Sequence, residues 1–258
     1  MRVSIPQPQL LKGLQAVERA VNDRSAMPIL SNLMLEVKGQ GLLVTATDLD
    51  LGVQYHLLLH EPCEEGAITV SARRLSTIVR ELPDEPVIIE SKKNYTTTLS
   101  CGASQFRLPG LPPEDFPIFP SFDGENRTVI SHSSLRHLIH HTAFAMSTED
   151  TRFVLNGALF HLQGSVATIA ATDGRRLAVA SAPVDGASGV SLRAIIPSKT
   201  IRELGRLLQG ETETEVAVTP LKDSQLLFQF GEAAIITRLI EGQFPAYDAV
   251  IPAPSTTT

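Results

Sequence analysis

The chain has 258 residues, 43% of them hydrophobic and 19% charged, with a net charge of −6. That composition excludes a disordered chain, and no run approaches the ~18 apolar residues that a membrane span needs. The negative balance taken alone argues against a nucleic-acid partner, but net charge hides distribution. The N-terminus, Met1 to Pro6, carries no apolar signal core, so the chain reads as cytoplasmic. Cys63 and Cys101 stand alone, with no Cys-x-x-Cys pair, and are expected to be reduced thiols.

In chain order, Arg2–Ile5 reads as a short strand. Leu10, Leu14, Val17 and Val21 then form one stripe, which predicts a helix over 9–21 with Pro6 and Pro8 ahead of it. Asn22–Met27 is a loop carrying Arg24. Strands are expected at 32–37, 42–47 and 51–59, with Lys38–Gly41 as a hairpin turn. A strand at 67–70 leads into a helix over 72–82, striped by Leu75, Ile78, Val79 and Leu82 and stopped by Pro83. Strands at 87–91, 95–101 and 104–108 follow. The unit is strand, helix, three strands, stated twice.

The segment 110–126 is rich in Pro, Gly and acid and divides the chain into domains at 1–125 and 126–258. Phe116-Pro117 returns as Phe244-Pro245, so the segment reads as an ordered crossover packed on a sheet. Beyond it the pattern repeats: strand 127–130, helix 133–144, strands 155–162, 166–171 and 177–182. Strand 194–196, helix 199–208 and strands 215–219, 225–230 and 233–239 complete it. Antiparallel strands with segregated helices make the fold class α+β.

Thr47 and Thr172 lie 125 positions apart, as do Asp48 and Asp173, and Leu30 and Leu155. A fixed offset over this length is a domain-sized internal repeat. Its clearest statement is Ala171–Val179, Ala-Thr-Asp-Gly-Arg-Arg-Leu-Ala-Val. There Asp bonds its own backbone, and Gly takes a positive φ without steric cost. The tail, Pro254-Ser-Thr-Thr-Thr258, trails off where a third repeat could begin. A truncated chain and a natural two-repeat protein both fit that ending.

The four predicted helices hold nine basic residues: Lys12, Arg19, Arg73, Arg74, Arg80, Arg136, Lys199, Arg202 and Arg206. They hold three acids, Glu18, Glu81 and Glu203, so the rest of the chain is strongly acidic. Basic helices on an acidic body are the footprint of a polyanion partner, held through phosphates rather than stacked bases, since aromatics are few there. A plainly solvated helix face is the other reading.

Chemistry is poorly provided for. His137, His140 and His141 share one helix at i, i+3 and i+4, but no His-Glu-x-x-His base accompanies them. Asp48-Leu-Asp50 resembles the start of a cation site, yet its repeat partner, Asp173-Gly-Arg175, replaces the second acid with a cation. Both aspartates read as turn-formers. No nucleophile has a sequence-adjacent base, so no enzyme, no metal and no cofactor are expected. Leu155, Leu177, Pro245 and Val250 sit beside turns and Gly174, near Arg152, Arg175 and Arg176. They form either a groove for a short apolar peptide or ordinary core with exposed arginines.

These residues carry a resemblance. Arg24-Ser-Ala-Met-Pro28-Ile-Leu-Ser-Asn32, Ala46-Thr-Asp48, Asp115-Phe-Pro117, Leu155-Asn-Gly157, Ala171–Val179 and Gly242-Gln-Phe-Pro245 appear in the order and spacing of the bacterial sliding clamps, the β subunit of DNA polymerase III. The resemblance implies three similar domains per full-length chain, paired head to tail into a ring with helices inside and sheets outside. It implies a processivity factor that encircles duplex DNA, without catalysis, and tethers polymerases and clamp-loader subunits through short peptide motifs. By position, Arg24 and Arg73 match DNA-contacting residues of the family, and Lys199, a nearby basic helix position, joins them in the expected DNA-binding set. Arg152, Leu155, Thr172, Gly174, Arg175, Arg176, Leu177, Pro245 and Val250 match the partner pocket, and Phe106 the subunit interface. Glu149, Phe153 and Val154 stand where relatives offer amide and tyrosine groups to DNA, and that loop is left out of the DNA set. Arg175 replaces a common histidine and Ala249 a common basic residue, both of which bear on peptide selectivity. Lacking a third domain, the chain alone is expected to be a monomer or a weak non-native dimer.

Overall fold

The computed structural model describes residues 1–120, 127–149, 153–184, 191–209 and 214–251. The chain divides into two compact units, residues 1–123 with 231–236, and 124–230 with 237–258.

The first unit runs β1 (Arg2–Pro6), α1 (Gln7–Val17), β2 (Asn32–Lys38), β3 (Gly41–Thr47), β4 (Leu51–Leu58) and β5 (Gly66–Ser71). It continues with α2 (Ala72–Glu81), β6 (Pro86–Ser91), β7 (Thr96–Cys101) and β8 (Ser104–Pro109). Its antiparallel strands lie in the orders β1-β6-β7-β8 and β5-β2-β3-β4. The second unit repeats this with β9 (Thr128–Ser131), α3 (His132–Thr142), β10 (Gly157–Gln163), β11 (Val166–Thr172), β12 (Leu177–Pro183) and β13 (Leu192–Pro197). Then come α4 (Ser198–Leu207), β14 (Glu215–Leu221) and β15 (Gln225–Phe230), with the orders β12-β11-β10-β13 and β15-β14-β9. A last strand, β16 (Ala233–Arg238), is grouped with the first unit as far as Ile236.

Helices pack in pairs within their own unit, α1 on α2 and α3 on α4, and each also touches the strands beside it. Leu10, Leu14 and Val17 of α1 are fully buried, as are Leu75 and Val79 of α2. Pro8 lies inside α1, in the first turn, where a missing N–H leaves no bond unmade. The predicted stripe extends past the real helix. α1 ends at Val17, a single 3₁₀ turn follows, and Val21 is extended with φ −71° and ψ 144°. α3 starts as its sequence dictates, with Ser131 Oγ accepting a bond from the Ser134 N–H. In the second unit the rings of Phe160 on β10 and Phe228 on β15 meet edge to face, 6.4 Å apart, joining its two sheets.

Gly39 turns the β2–β3 hairpin at φ +57°, within the Lys38–Gly41 turn expected from the sequence. The described part of the crossover is ordered: the Thr69 hydroxyl both accepts from the Leu111 N–H and donates to the Leu111 carbonyl. Phe116 is buried, as is Phe244. The remainder of the crossover and the tail from 252 lie outside the described residues. Cys63 and Cys101 are both free thiols. Among the described residues no helix is long and apolar enough to cross a membrane.

Candidate functional site

β11 ends at Thr172 and β12 begins opposite it at Leu177, so the intervening residues must reverse the chain. Asp173 makes the reversal. Its Oδ1 accepts from the N–H groups of Arg175 and Arg176 at 2.9 and 3.0 Å, and its Oδ2 accepts from Arg176 Nε at 2.9 Å. The two backbone donors, ahead of the guanidinium, hold the Asp173 carboxyl below the usual carboxylate range. Thr172 Oγ1 accepts from the Gly174 N–H and donates to the Arg176 carbonyl. Gly174 sits at φ +86°, a region in which a Cβ is penalised.

This turn forms one wall of a cavity of about 450 Å³, lined by Leu155, Thr172, Gly174, Arg175, Arg176 and Leu177. Pro245, Ala246, Tyr247 and Val250 form the other wall. Beneath it is a cluster of Leu155, Leu159, Ala170, Ile195, Phe244 and Tyr247. Phe244 and Tyr247 meet edge to face at 6.5 Å, and burial pushes the Tyr247 hydroxyl up. Val250 is 68% exposed at the mouth. The result is an apolar trough with a guanidinium rim, within the size range of ligand sites. Leu155 belongs not to β10, where the pattern put it, but to a 3₁₀ turn, Phe153–Leu155, that precedes the strand and aims it at the trough. Arg152 lies outside the described residues. Ala246 and Tyr247 were missed as site residues; the repeat of Phe116-Pro117 as Phe244-Pro245, two positions before Tyr247, was the available signal.

The basic helix residues fall on solvent-facing positions. Lys12, Arg19, Arg73, Arg74, Arg80, Arg136, Lys199 and Arg202 are all exposed. Of the three helix acids, Glu203 is buried, Glu18 half-buried and Glu81 exposed. Glu203 is 4% exposed and bound by Arg206, and Glu18 lies 3.8 Å from Arg80. Arg73 and Arg74 occupy the first turn of α2 and Lys199 that of α4, and neither first turn holds an acid. The helix dipole disfavours cations there. Arg19, Arg73 and Arg80 border an open cleft of about 400 Å³, and Arg24 is exposed on its loop. Phe106 stands on β8, the last strand of its sheet, 38% exposed.

The histidine rings of α3 lie against one another, His137 and His141 tilted at 52° with centroids 4.2 Å apart and His140 edge-on to His141. Among the described residues no three or more His, Cys, Asp or Glu side chains gather as a metal centre would need.

A doubled pair of strand–helix–three-strand units with antiparallel sheets is the architecture of a DNA clamp. Residues 1–120 match the family model for the N-terminal domain of the DNA polymerase III beta subunit, and residues 129–246 match that for its central domain. The beta sliding clamp of Pseudomonas aeruginosa is 37% identical over 252 residues, 98% of this chain and 68% of the relative. That of Escherichia coli is 34% identical over 253 residues, with the same coverage. The crystal structure of the P. aeruginosa clamp bound to griselimycin superposes with a TM-score of 0.92, covering 99% of this chain and 69% of that one. The Bacillus subtilis clamp, 29% identical, gives 0.91 over 99% of this chain and 68% of the other. The chain belongs to the bacterial beta sliding clamp family, the β subunit of DNA polymerase III. Its function is that of a processivity factor in DNA replication.

Proposed function

We propose that the trough beside Thr172–Leu177 is the docking site for short peptide motifs of DNA polymerases and clamp-loader subunits, and that the basic helices face duplex DNA. In this reading the chain supplies the family's first two domains, bounded near residues 125 and 126, to a ring of full-length chains that encircles the duplex. It works in the cytoplasm as a tether that performs no catalysis and uses no cofactor.

The observation that carries the peptide reading is convergence. Leu155, Thr172, Gly174, Arg175, Arg176, Leu177, Pro245 and Val250, spread over nearly a hundred positions of sequence, line one apolar cavity. A peptide with hydrophobic anchors gains from such a trough by removing apolar surface from water, while the guanidinium rim can bond its main chain. The P. aeruginosa relative, a clamp of this fold, is bound to griselimycin in its crystal structure, which supports a ligand-taking role for the family.

The DNA reading rests on the cations at the positive ends of α2 and α4. Placing Arg73, Arg74 and Lys199 there works against the helices themselves, so an external polyanion is the physical reason for them. Contacts of this kind ignore base sequence and weaken steeply with salt. Arg24, Arg73 and Lys199 are the proposed phosphate contacts, and Phe106 on its sheet edge is the proposed subunit contact.

The deciding experiment is a fluorescence-anisotropy titration with the C-terminal peptide of a bacterial replicative polymerase. Saturable binding that Leu155→Ala or Val250→Asp weakens at least tenfold supports the trough. Binding indifferent to both substitutions removes the assignment. In the same assay with duplex DNA, Arg24→Ala with Arg73→Ala should lower the slope of log K against log salt by about 2, ~0.9 per phosphate contact, without altering peptide affinity.

A further inference from the structure

One face of α3 carries side chains that neither the trough nor the proposed phosphate contacts use. Leu135, Leu138, Ile139 and Thr142 are buried in the second unit. That turns Arg136, His137, His140 and His141 outward, and all four are exposed. The ring nitrogens of these three histidines make no hydrogen bond or ion pair among the described residues. His137 and His141 stand at i and i+4, neighbours on one helix face, with centroids 4.2 Å apart. His140 meets His141 edge-on at 5.3 Å and makes no ring contact with His137 among the described residues.

The first unit does not repeat this group. Counted back by the 125-residue offset, α1 holds Lys12 and Ala16 at the places of His137 and His141. A lysine ammonium has no lone pair to give a metal, and Ala16 is buried. The imidazole pair therefore belongs to the second unit's helix and not to the repeated frame.

Two further facts define what the pair can hold. α3 contains no Asp or Glu, so the site offers nitrogen donors and no carboxylate oxygen. Imidazole suits Cu²⁺, Ni²⁺ and Zn²⁺, whereas Ca²⁺ and Mg²⁺ take oxygen ligands. His141 lies in the last turn of α3, at the negative end of the helix dipole, where a cation is stabilised. With metal–nitrogen bonds of about 2.0–2.1 Å, two rings on one ion have centroids on the order of 5 Å apart. Rotation of two exposed side chains is enough to close the site.

We propose that His137 and His141 chelate one divalent transition-metal ion, Cu²⁺ most tightly, with water completing its coordination. Two protein ligands make an open, exchangeable site, short of the three or more side chains that a resident centre gathers. The ion is no cofactor of the tether, and the site stands independently of the peptide and DNA readings.

The test is a calorimetric titration of the chain with Cu²⁺, Ni²⁺ and Mg²⁺, at about pH 8 because ligating imidazoles must be neutral. Cu²⁺ should bind more tightly than Ni²⁺, and Mg²⁺ should give no heat at this site. His137→Ala and His141→Ala should each weaken Cu²⁺ binding ~tenfold or more, since each leaves one ligand in place of a chelate. His140→Ala should leave the affinity unchanged. The electron paramagnetic resonance spectrum of bound Cu²⁺ should report two imidazole nitrogens in the wild type and one in either weakened variant. All three side chains are exposed, so the metal-free variants should melt with the wild type; His137→Gln and His141→Gln replace any alanine variant that melts lower. A loss in His140→Ala equal to that in His141→Ala overturns the assigned pair. Undiminished affinity in both His137→Ala and His141→Ala puts the ion elsewhere and overturns the proposal, as does a wild-type chain that binds no Cu²⁺.

Discussion

The two units perform the same turn and put it to different use. In the first, Thr47 Oγ1 accepts from the Leu49 N–H, and Asp48 Oδ1 accepts from the N–H groups of Asp50 and Leu51. In the second, Thr172 and Asp173 make the same bonds to Gly174, Arg175 and Arg176. The backbone agrees too, with Leu49 at φ +81° and Gly174 at φ +86°. The difference lies at the residue paired with the threonine across the turn. There the first unit has Gly52 and the second Leu177. A Cβ on Gly52 would lie 3.3 Å from the Phe119 ring and 2.7 Å from Ile236 Cγ2. So in the first unit an aromatic side chain closes over the turn, while in the second Leu177 stands in an open trough. A repeated backbone supplies the frame, and the side chains packed on it decide whether the turn is covered or opens onto a trough.

The comparison can be broken first at Gly52. Gly52→Leu should cost about 3 kcal/mol through overpacking against Ile236 and Phe119, measured by urea unfolding. A neutral result would mean the first unit has space for a trough after all. The reverse change, Leu177→Gly, should weaken peptide binding about tenfold, ~1.4 kcal/mol, since it removes an apolar wall; undiminished affinity in the anisotropy titration would remove Leu177 from the site.

Two smaller tests sharpen the comparison. Leu49 has a side chain where the twin turn has glycine. Leu49→Gly should relieve ~1–2 kcal/mol of left-handed strain and lose up to ~1 kcal/mol to unfolded-chain entropy. A net gain of about 0.5 kcal/mol in thermal or urea unfolding is expected. The last concerns the start of the first helix of each unit. Gln7 is buried there in α1, donating to the Val79 carbonyl at 2.6 Å, and His132, 125 positions on, is buried in α3. Burial, followed by the nearby Arg136, lowers the His132 pKa. The unfolded chain then binds the proton more readily, so the second unit should lose stability as pH falls below about 6.5, with no further loss below the lowered folded value. His132→Gln should flatten that dependence; an unchanged pH profile would show that His132 does not cause it.

The local code was readable without coordinates. Apolar spacing placed each helix, and the Asp48 and Asp173 turns followed from residue type, because a carboxylate reaches the N–H groups two and three residues on whatever the rest of the chain does. The excess of helix cations was countable, and the family followed from ordered motifs. Tertiary structure decided the rest. The end of α1 at Val17 rather than Val21 is a packing outcome, since periodicity continues where the backbone does not. The placing of Tyr247 against Phe244, the withdrawal of Glu203 beneath Arg206 and the position of Arg175 and Arg176 on the rim of the trough involve distances between segments. Leu155 and Val250 belong to one wall-and-floor arrangement although 95 positions separate them. Periodicity reports which face of an element is apolar; which other face it meets, and whether a side chain such as Phe119 fills the space between, is fixed only when the chain closes on itself.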